Sequence, residues 1–503
     1  MDSKLTQRPQ GRQGGYVLVA VAALTTVLLA TGIAFMRWST DEALQSRESA
    51  AAMQAYYLAQ MGIVEEGFMW LRSQKETELP TGEVTRPGRD VNPDGGYSDV
   101  SIFGMPSINQ GQFWLEDRRF RISAIGKVRV PVLHEGANDF KEIKRKAILY
   151  VQVRNFADYM YLSDCELTTF GDRIKFWTPD TLQGRVHSNS LIAIEGTPQF
   201  YGQVSTTECD FWRGPGYNPG FHGPQPQFRA PRVEIPELAN NLRQGASMQG
   251  QFYNVPGKQY RTTIASGTVY VDTWDVGTPF DSTFRQPVPI VGRLCMFFDG
   301  PLELKGSGLT GQVTIGCSNN IRLIDDITYA GAGPQGEIPV NSLAVLGIVS
   351  EHDVKVANTV ANGRENSAGA GQGQNNRNLT SIIIDAAIVA LGESFTFEQQ
   401  NDVDSGYVYQ TGNPPQPARD DRGTIYVYGS ITQKRRGYVH RSTNGSTGYA
   451  KQYRYDWRFD RIKPPCFFHV TDDAGHALFN VVQWGEANES RNEVQRWNMV
   501  RYN

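Results

Sequence analysis

The sequence predicts a mainly β protein carried on one long N-terminal α-helix, and three observations point there. The chain has 26 prolines among 503 residues, yet none lies between Pro9 and Pro80. Residues 16–36 form an uncharged apolar run, YVLVAVAALTTVLLATGIAFM. Beyond residue 157, short apolar, β-branched runs recur between Gly, Asn, Asp and Pro with no long amphipathic helix among them, which disfavours βαβ architecture. A length of 503 residues exceeds one ordinary core. The expected segments are 1–15 (leader), 16–75 (helix), 76–156 (small antiparallel sheet), 157–466 (large β domain) and 467–503 (C-terminal segment).

The leader carries Lys4, Arg8 and Arg12 against the single acid Asp2. The next 21 residues suffice to cross a hydrocarbon core about 30 Å thick. Tyr16, Val17, Leu18, Leu28, Leu29, Phe35 and Met36 mark the segment, and Arg37 with Trp38 closes it. Basic residues before the span predict a cytoplasmic N-terminus and a single pass, with the remainder exported. A cleaved secretory signal would have a shorter apolar core and a small-residue cleavage site. From Ser39 the sequence is rich in Ala, Glu, Gln, Leu and Met, good helix formers. One helix is therefore expected to continue to about Gln74, roughly 90 Å long. Met53, Tyr56, Tyr57, Met61, Val64, Phe68 and Leu71 recur at helical spacing and form its expected packing stripe.

A short basic leader ending in Gly15, then the aromatic Tyr16 and an unbroken apolar helix, resembles a type IV prepilin signal. The segment AMQAYYLAQMGIVEEGF resembles the stretch after the membrane helix in PilX-type minor pilins and in K-type pseudopilins of type II secretion. The resemblance covers about 60 residues. It implies processing between Gly15 and Tyr16 by a prepilin peptidase, other pilins or pseudopilins as partners, and inner-membrane lipid around the helix before assembly. Most major pilins carry Glu at the fifth mature position, whereas Ala20 stands here. That departure implies a minor or tip component rather than the repeating subunit.

Residues 76–99 read as a loop. Asp90, Asn92, Asp94 and Asp99 offer oxygen ligands but lack the EF-hand spacing, so a solvated turn is expected. Strands are expected at 101–105, within 112–130, and at 143–154, where apolar and polar residues alternate. Farther on, runs such as GQVTIGC (311–317), SLAVLGIVS (342–350) and TSIIIDAAIVAL (380–391) are too uniformly apolar for strands with one wet face. They suit a right-handed parallel β-helix, in which each coil buries its side chains on its neighbours. A β-sandwich is the alternative. Stretches including 161–206, 342–357, 382–391, 423–439 and 448–468 resemble a domain of unknown function found on pilin-like bacterial proteins, which implies architecture and context but no activity.

The net charge of −3 argues against a nucleic-acid binder. His187 and Ser188 would face opposite sides of a strand, whereas His187 and Asn189 share one, so a structural role for this pair is expected. Asp325, Asp326, Asp353 and Asp385 are the carboxylates a glycosidase-like site would need. No phosphate-binding loop, nucleophile elbow or zinc motif appears, and no catalytic residue, metal or cofactor is assigned. The expectation is a non-enzymatic filament subunit displaying a large β domain for adhesion or assembly initiation, with a surface or polysaccharide ligand open. The alternative is a membrane-anchored, exported carbohydrate-active β-helix. Of the five cysteines, Cys295 and Cys317 could stack on adjacent coils as a disulfide, or stay free. Lys434, Arg435 and Arg436 read as an exposed turn. Residues 357–379, with four Gly and six Asn, read as a mobile loop, and 215–226 as an aromatic-bearing excursion.

Overall fold

A computed structural model describes residues 14–105, 118–131, 140–168, 171–363, 381–398, 409–410, 416–417, 420–441, 447–487 and 496–498. The helix spans Gly14–Gly62 and continues through a π-helical turn, Ile63–Phe68, into Met69–Arg72. Its most apolar window packs on no other part of the described chain. The second half lies on an antiparallel sheet whose order is Glu83–Arg86, Val100–Gly104, Arg119–Pro131, Phe140–Val153, Phe479–Ala487 and Arg496–Asn498. A hairpin of Arg89–Asn92 and Gly95–Tyr97 joins it at Arg119–Pro131. The stretch expected to be only a loop thus contributes three strands. They are three or four residues long and separated by Pro and Gly, and only pairing with distant strands makes them legible.

The packing face of the helix agrees with the expected stripe in part: Leu71 is buried, and Tyr56, Met61 and Phe68 pack against the same core. Met53, Tyr57 and Val64 point outward, while Ala51, Ala55, Leu58, Ala59, Ile63 and Leu71 are buried. Small residues let the helix backbone approach the sheet, and Gly126 faces Ala55 and Ala59 directly. Ile63 and Leu71 join Val100, Ile102, Phe120, Ile122, Leu149 and Val151 in one core. The C-terminal segment returns to this collar: Phe479–Ala487 pairs with Phe140–Val153, and Trp484 Nε1 donates to Tyr56 Oη at 3.1 Å.

The large domain is built mainly from parallel ladders, with antiparallel pairing among Lys258–Ala265, Thr268–Asp275 and Arg285–Pro289 and between His440–Arg441 and Thr447–Tyr455. One runs from Val204–Thr206 through Val186–Ser188, Tyr161–Cys165, Asp420–Arg435, Ile382–Ala390, Val345–Ser350 and Gln312–Cys317 to Arg293–Phe298. A second links Gln199–Phe200, Thr181–Gln183, Thr447–Tyr455 and Asp420–Arg435. The chain therefore enters this stack in its middle. Residues 161–206 add strands toward one end of the ladders, and residues 230–251 then run outside them. From Phe252–Tyr253 at the far end the chain winds back, so that Asp420–Arg435 docks on Tyr161–Cys165. Entry at Asp158 and exit near Tyr455 consequently lie side by side above the collar.

A Cys295–Cys317 disulfide is excluded by this register. Cys295 pairs in sequence register with Thr314 and faces outward toward the helix Asn240–Met248, whereas Cys317 faces the inner core. Cys295 is instead bonded to Cys466, 171 residues later. Burial pushes the Cys317 thiol up to about 12. The basic run is not a free turn either. Lys434 pairs with Asp164, Arg435 with Glu393 and Arg436 with the buried Glu166. These residues end the strand that closes the stack on its first coil, so each cation lies beside an acid of a neighbouring coil. Phe221, within the 215–226 excursion, stacks on Phe200 at 5.4 Å. Most of the 357–379 segment lies outside the described residues, but Asn362 is buried and donates to the carbonyls of Leu323 and Ala357.

Candidate functional site

The first candidate site is the bare half of the helix. Tyr16, Val17, Leu18, Leu28, Leu29, Phe35 and Met36 are 61–85% exposed. One helix, Tyr16–Arg72, is long and apolar enough to cross a membrane, and none of its most apolar window is buried against the protein. Gly15 and Tyr16 lie at its start, and the leader before Gly14 is outside the described residues. Below the bare half, ion pairs fasten helix to collar: Glu48 with Lys141 at 2.6 Å and Glu65 with Arg89 at 2.6 Å. Both pairs are about half exposed, so packing rather than charge holds the contact.

His187 and Asn189 lie where the first coils meet the segment that crosses outside them. Asn189 donates through Nδ2 to the Val233 carbonyl at 2.6 Å and to Asp164 Oδ1 at 2.9 Å, and its Oδ1 accepts the Val233 N–H at 2.9 Å. With Oδ1 fixed as acceptor, His187 Nε2 at 3.1 Å carries its proton, and Nδ1 accepts from Ser205 Oγ at 2.8 Å. Burial, with a further contribution from Arg154, pushes the His187 imidazolium down to about 4. The ring is thus a neutral spacer between a coil and its outer cover. Ser188 turns to the other side, toward Ser163, and takes no proton from His187.

The carboxylates singled out by sequence serve the coils. Asp326 Oδ1 accepts the Ile383 N–H at 2.8 Å, Asp353 Oδ1 the Ser394 N–H at 2.8 Å, and Asp385 Oδ2 the Tyr329 N–H at 3.0 Å. Each of these three bonds links separate stretches of the stack. Asp325 accepts the N–H of its own neighbour Asp326. Burial raises the Asp385 carboxyl to about 7, and its Oδ1 has no hydrogen-bond partner among the described residues. Asp90, Asn92, Asp94 and Asp99 occupy the collar hairpin, where Asn92 Oδ1 caps the Asp94 N–H and Asp99 Oδ1 the Gly88 N–H.

Two features escaped the sequence. A polar knot joins collar and large domain: Arg154 and Arg185 both donate to Asn480 Oδ1, at 3.0 and 2.8 Å, while Asn480 Nδ2 donates to Asp158 Oδ2 at 2.9 Å. Asp158 Oδ1 pairs with Lys463, both side chains being buried. Asp158 lies more than 300 positions from both Asn480 and Lys463, so no local signal marks the knot. The other feature is a cavity of about 230 Å³ on the flank of the stack. Trp177, 36% exposed, stacks on His440 at its mouth with ring centroids 5.9 Å apart. Its wall holds the Lys451–Asp180 pair at 2.9 Å and the Lys175–Glu195 pair at 2.5 Å.

Residues 134–209 match a family described as a domain of unknown function (DUF4900). The matched stretch begins ahead of the last collar strand before the body, Phe140–Val153, and includes Asp158, His187 and Asn189, so it spans the collar–domain junction. No curated protein and no solved structure matches the chain.

Proposed function

We propose that this chain is a non-enzymatic minor or tip subunit of a type IV pilus or a type II secretion pseudopilus. The observation that carries the reading is a single helix with two halves. The lower half is seated on an antiparallel collar through Ala51, Ala55 and Ala59, while the upper half offers apolar side chains to something outside the chain. Before assembly that partner is inner-membrane lipid, with the N-terminus cytoplasmic and the collar and large domain exported. After assembly it is the helices of other pilins or pseudopilins. Ala20, in place of a carboxylate that would need a partner within the apolar layer, suits a subunit at a filament end. The parallel ladders support a β-helix over a sandwich for the large domain, whose bulk suits a cap or adhesin rather than a repeating unit. The Cys295–Cys466 disulfide supports an oxidising compartment.

The test is the N-terminus of the chain expressed with and without a prepilin peptidase. The mature product is expected to begin at Tyr16 only when the peptidase is present. A product beginning beyond Arg37, or one unaffected by the peptidase, overturns the reading. The alternative, an anchored carbohydrate-active protein, draws on the Trp177 cavity, since an exposed indole suits the apolar face of a sugar ring. It loses support from Asp326, Asp353 and Asp385, each of which has one oxygen engaged with a backbone N–H of another stretch of the domain.

A further inference from the structure

Between the end of the stem helix, the collar and the large domain lies a second cavity of about 230 Å³. Three arginines line it, one from each part. Arg72 ends the helix, Arg154 comes directly after the collar strand Phe140–Val153, and Arg185 precedes Val186–Ser188 of the first coils. The remaining polar lining is uncharged: Tyr159, Gln203, Ser205, Gln227 and the neutral His187. No Asp or Glu among the described residues lines it.

Among the described residues the cations are not neutralised by direct pairing, and the Arg72 side chain makes only a cation–π contact with Phe68, 5.8 Å from its ring. Arg154 bonds to Asn480 Oδ1 and to Tyr159 Oη, and Arg185 to Asn480 Oδ1, all uncharged acceptors. Asp158 stands behind Asn480 and is engaged by Lys463 and the Asn155 N–H. Asp460 acts on Arg185 but does not line the cavity, and Tyr455 Oη donates to it at 3.4 Å. Like charges gathered in a partly desolvated space are costly unless an anion joins them. Arginine forks match the oxygens of phosphate and carboxylate groups, and hydroxyl and amide donors complete such a shell. The volume is below the 300–1,000 Å³ or so of pockets for drug-sized ligands, which points to a small group.

We propose that this junction cavity is a binding site for a small, doubly charged oxyanion of the phosphate type, held by Arg72, Arg154 and Arg185 and tying the stem, collar and large domain together. The source is either free phosphate or a phosphomonoester.

The test uses the detergent-solubilised full chain, titrated calorimetrically with inorganic phosphate and, separately, with glycerol phosphate, against chloride at matched ionic strength. Saturable binding of phosphate but not chloride is expected, together with a rise in Tm. Binding of inorganic phosphate alone identifies the free ion as the source, and tighter binding of glycerol phosphate identifies the ester. Losing one charged hydrogen bond, Arg185→Gln should weaken binding by about 10–100-fold. Because Arg185 also supports Asn480, Arg72→Gln is the second variant. The Arg72 side chain is exposed and makes no hydrogen bond among the described residues, so this variant keeps the fold and is expected to bind at least several-fold more weakly. Absence of saturable phosphate binding in the wild type, or unchanged affinity in both variants, overturns the proposal.

Discussion

Gly126→Ala tests the seat of the stem directly. A Cβ at Gly126 would lie 1.8 Å from the Ala55 carbonyl oxygen and 2.7 Å from the Ala59 nitrogen. Ordinary contact begins near 3.4 Å, so helix and sheet must part by about 1.6 Å (3.4 − 1.8). Both obstructing atoms belong to helix backbone, and Ala55 and Ala59 are fully buried, so no side chain can swing aside. Overpacking of this kind costs about 1–3 kcal/mol, and the backbone clash places Gly126→Ala near the upper figure. The loss of unfolded-state freedom on replacing Gly by Ala returns about 0.4–1 kcal/mol, leaving a net loss of about 2 kcal/mol at the stem–collar contact. Gly62→Ala meets the Tyr97 ring at 2.6 Å, which a ring can partly relieve, and should cost less. Gly32→Ala, with nothing within 4 Å, serves as the control and should stabilise the exposed helix slightly. Amide hydrogen exchange of residues 51–71 in the detergent-solubilised chain reads out local opening. Protection in Gly126→Ala equal to wild type would refute the small-residue seat.

Further expectations concern the large domain. Reducing Cys295–Cys466, or replacing both residues by Ala, opens a 171-residue loop; chain entropy predicts a loss of about 5 kcal/mol, and measured disulfides more often give 2–4. Denaturant unfolding with and without reductant checks this, and Cys165→Ser should have no such effect. His187 titrates near 6.5 when unfolded and near 4 when folded, so stability should fall by up to about 3 kcal/mol as pH drops through that interval. His187→Gln should flatten that part of the profile, and an unchanged slope would count against the neutral-spacer role. Asp385 behaves oppositely: its carboxyl moves from 3.8 to about 7 on folding, so stability falls as pH rises between those values, by up to about 4 kcal/mol. Asp385→Asn should therefore be more stable than wild type at pH 8 and nearly equal to it at pH 4, as thermal unfolding at the two pH values will show.

Legibility in the sequence tracks the range of the interactions involved. The strands Gln312–Cys317, Val345–Ser350 and Ile382–Ala390 are readable because burial on both faces leaves a continuous apolar run. Glu83–Arg86 and Arg89–Asn92 are not, because they are short, exposed and polar and exist only through their partners. The stem's packing face matches the periodic stripe at Tyr56, Met61, Phe68 and Leu71 but not at Met53, Tyr57 and Val64, because large apolar residues give the stronger signal in a sequence. The closest approach is made by alanines, whose value lies in how near a backbone can come. Likewise, adjacency on neighbouring coils suggests Cys295 with Cys317, but side-chain alternation sends the two sulfurs to opposite sides of the sheet wall.

The sequence alone determined the apolar span at 16–36, the proline-free helix behind it and the β character of the remaining chain. Those properties depend on local composition and period, which each stretch of chain carries within itself. The tertiary structure alone decided that the stack is entered in its middle, that residues 479–487 return to the collar, and that Asp158, Lys463 and Asn480 meet at the junction. Such contacts join residues hundreds of positions apart. Their energy comes from burial and hydrogen bonding that exist only once the coils have stacked, so no stretch of sequence records them.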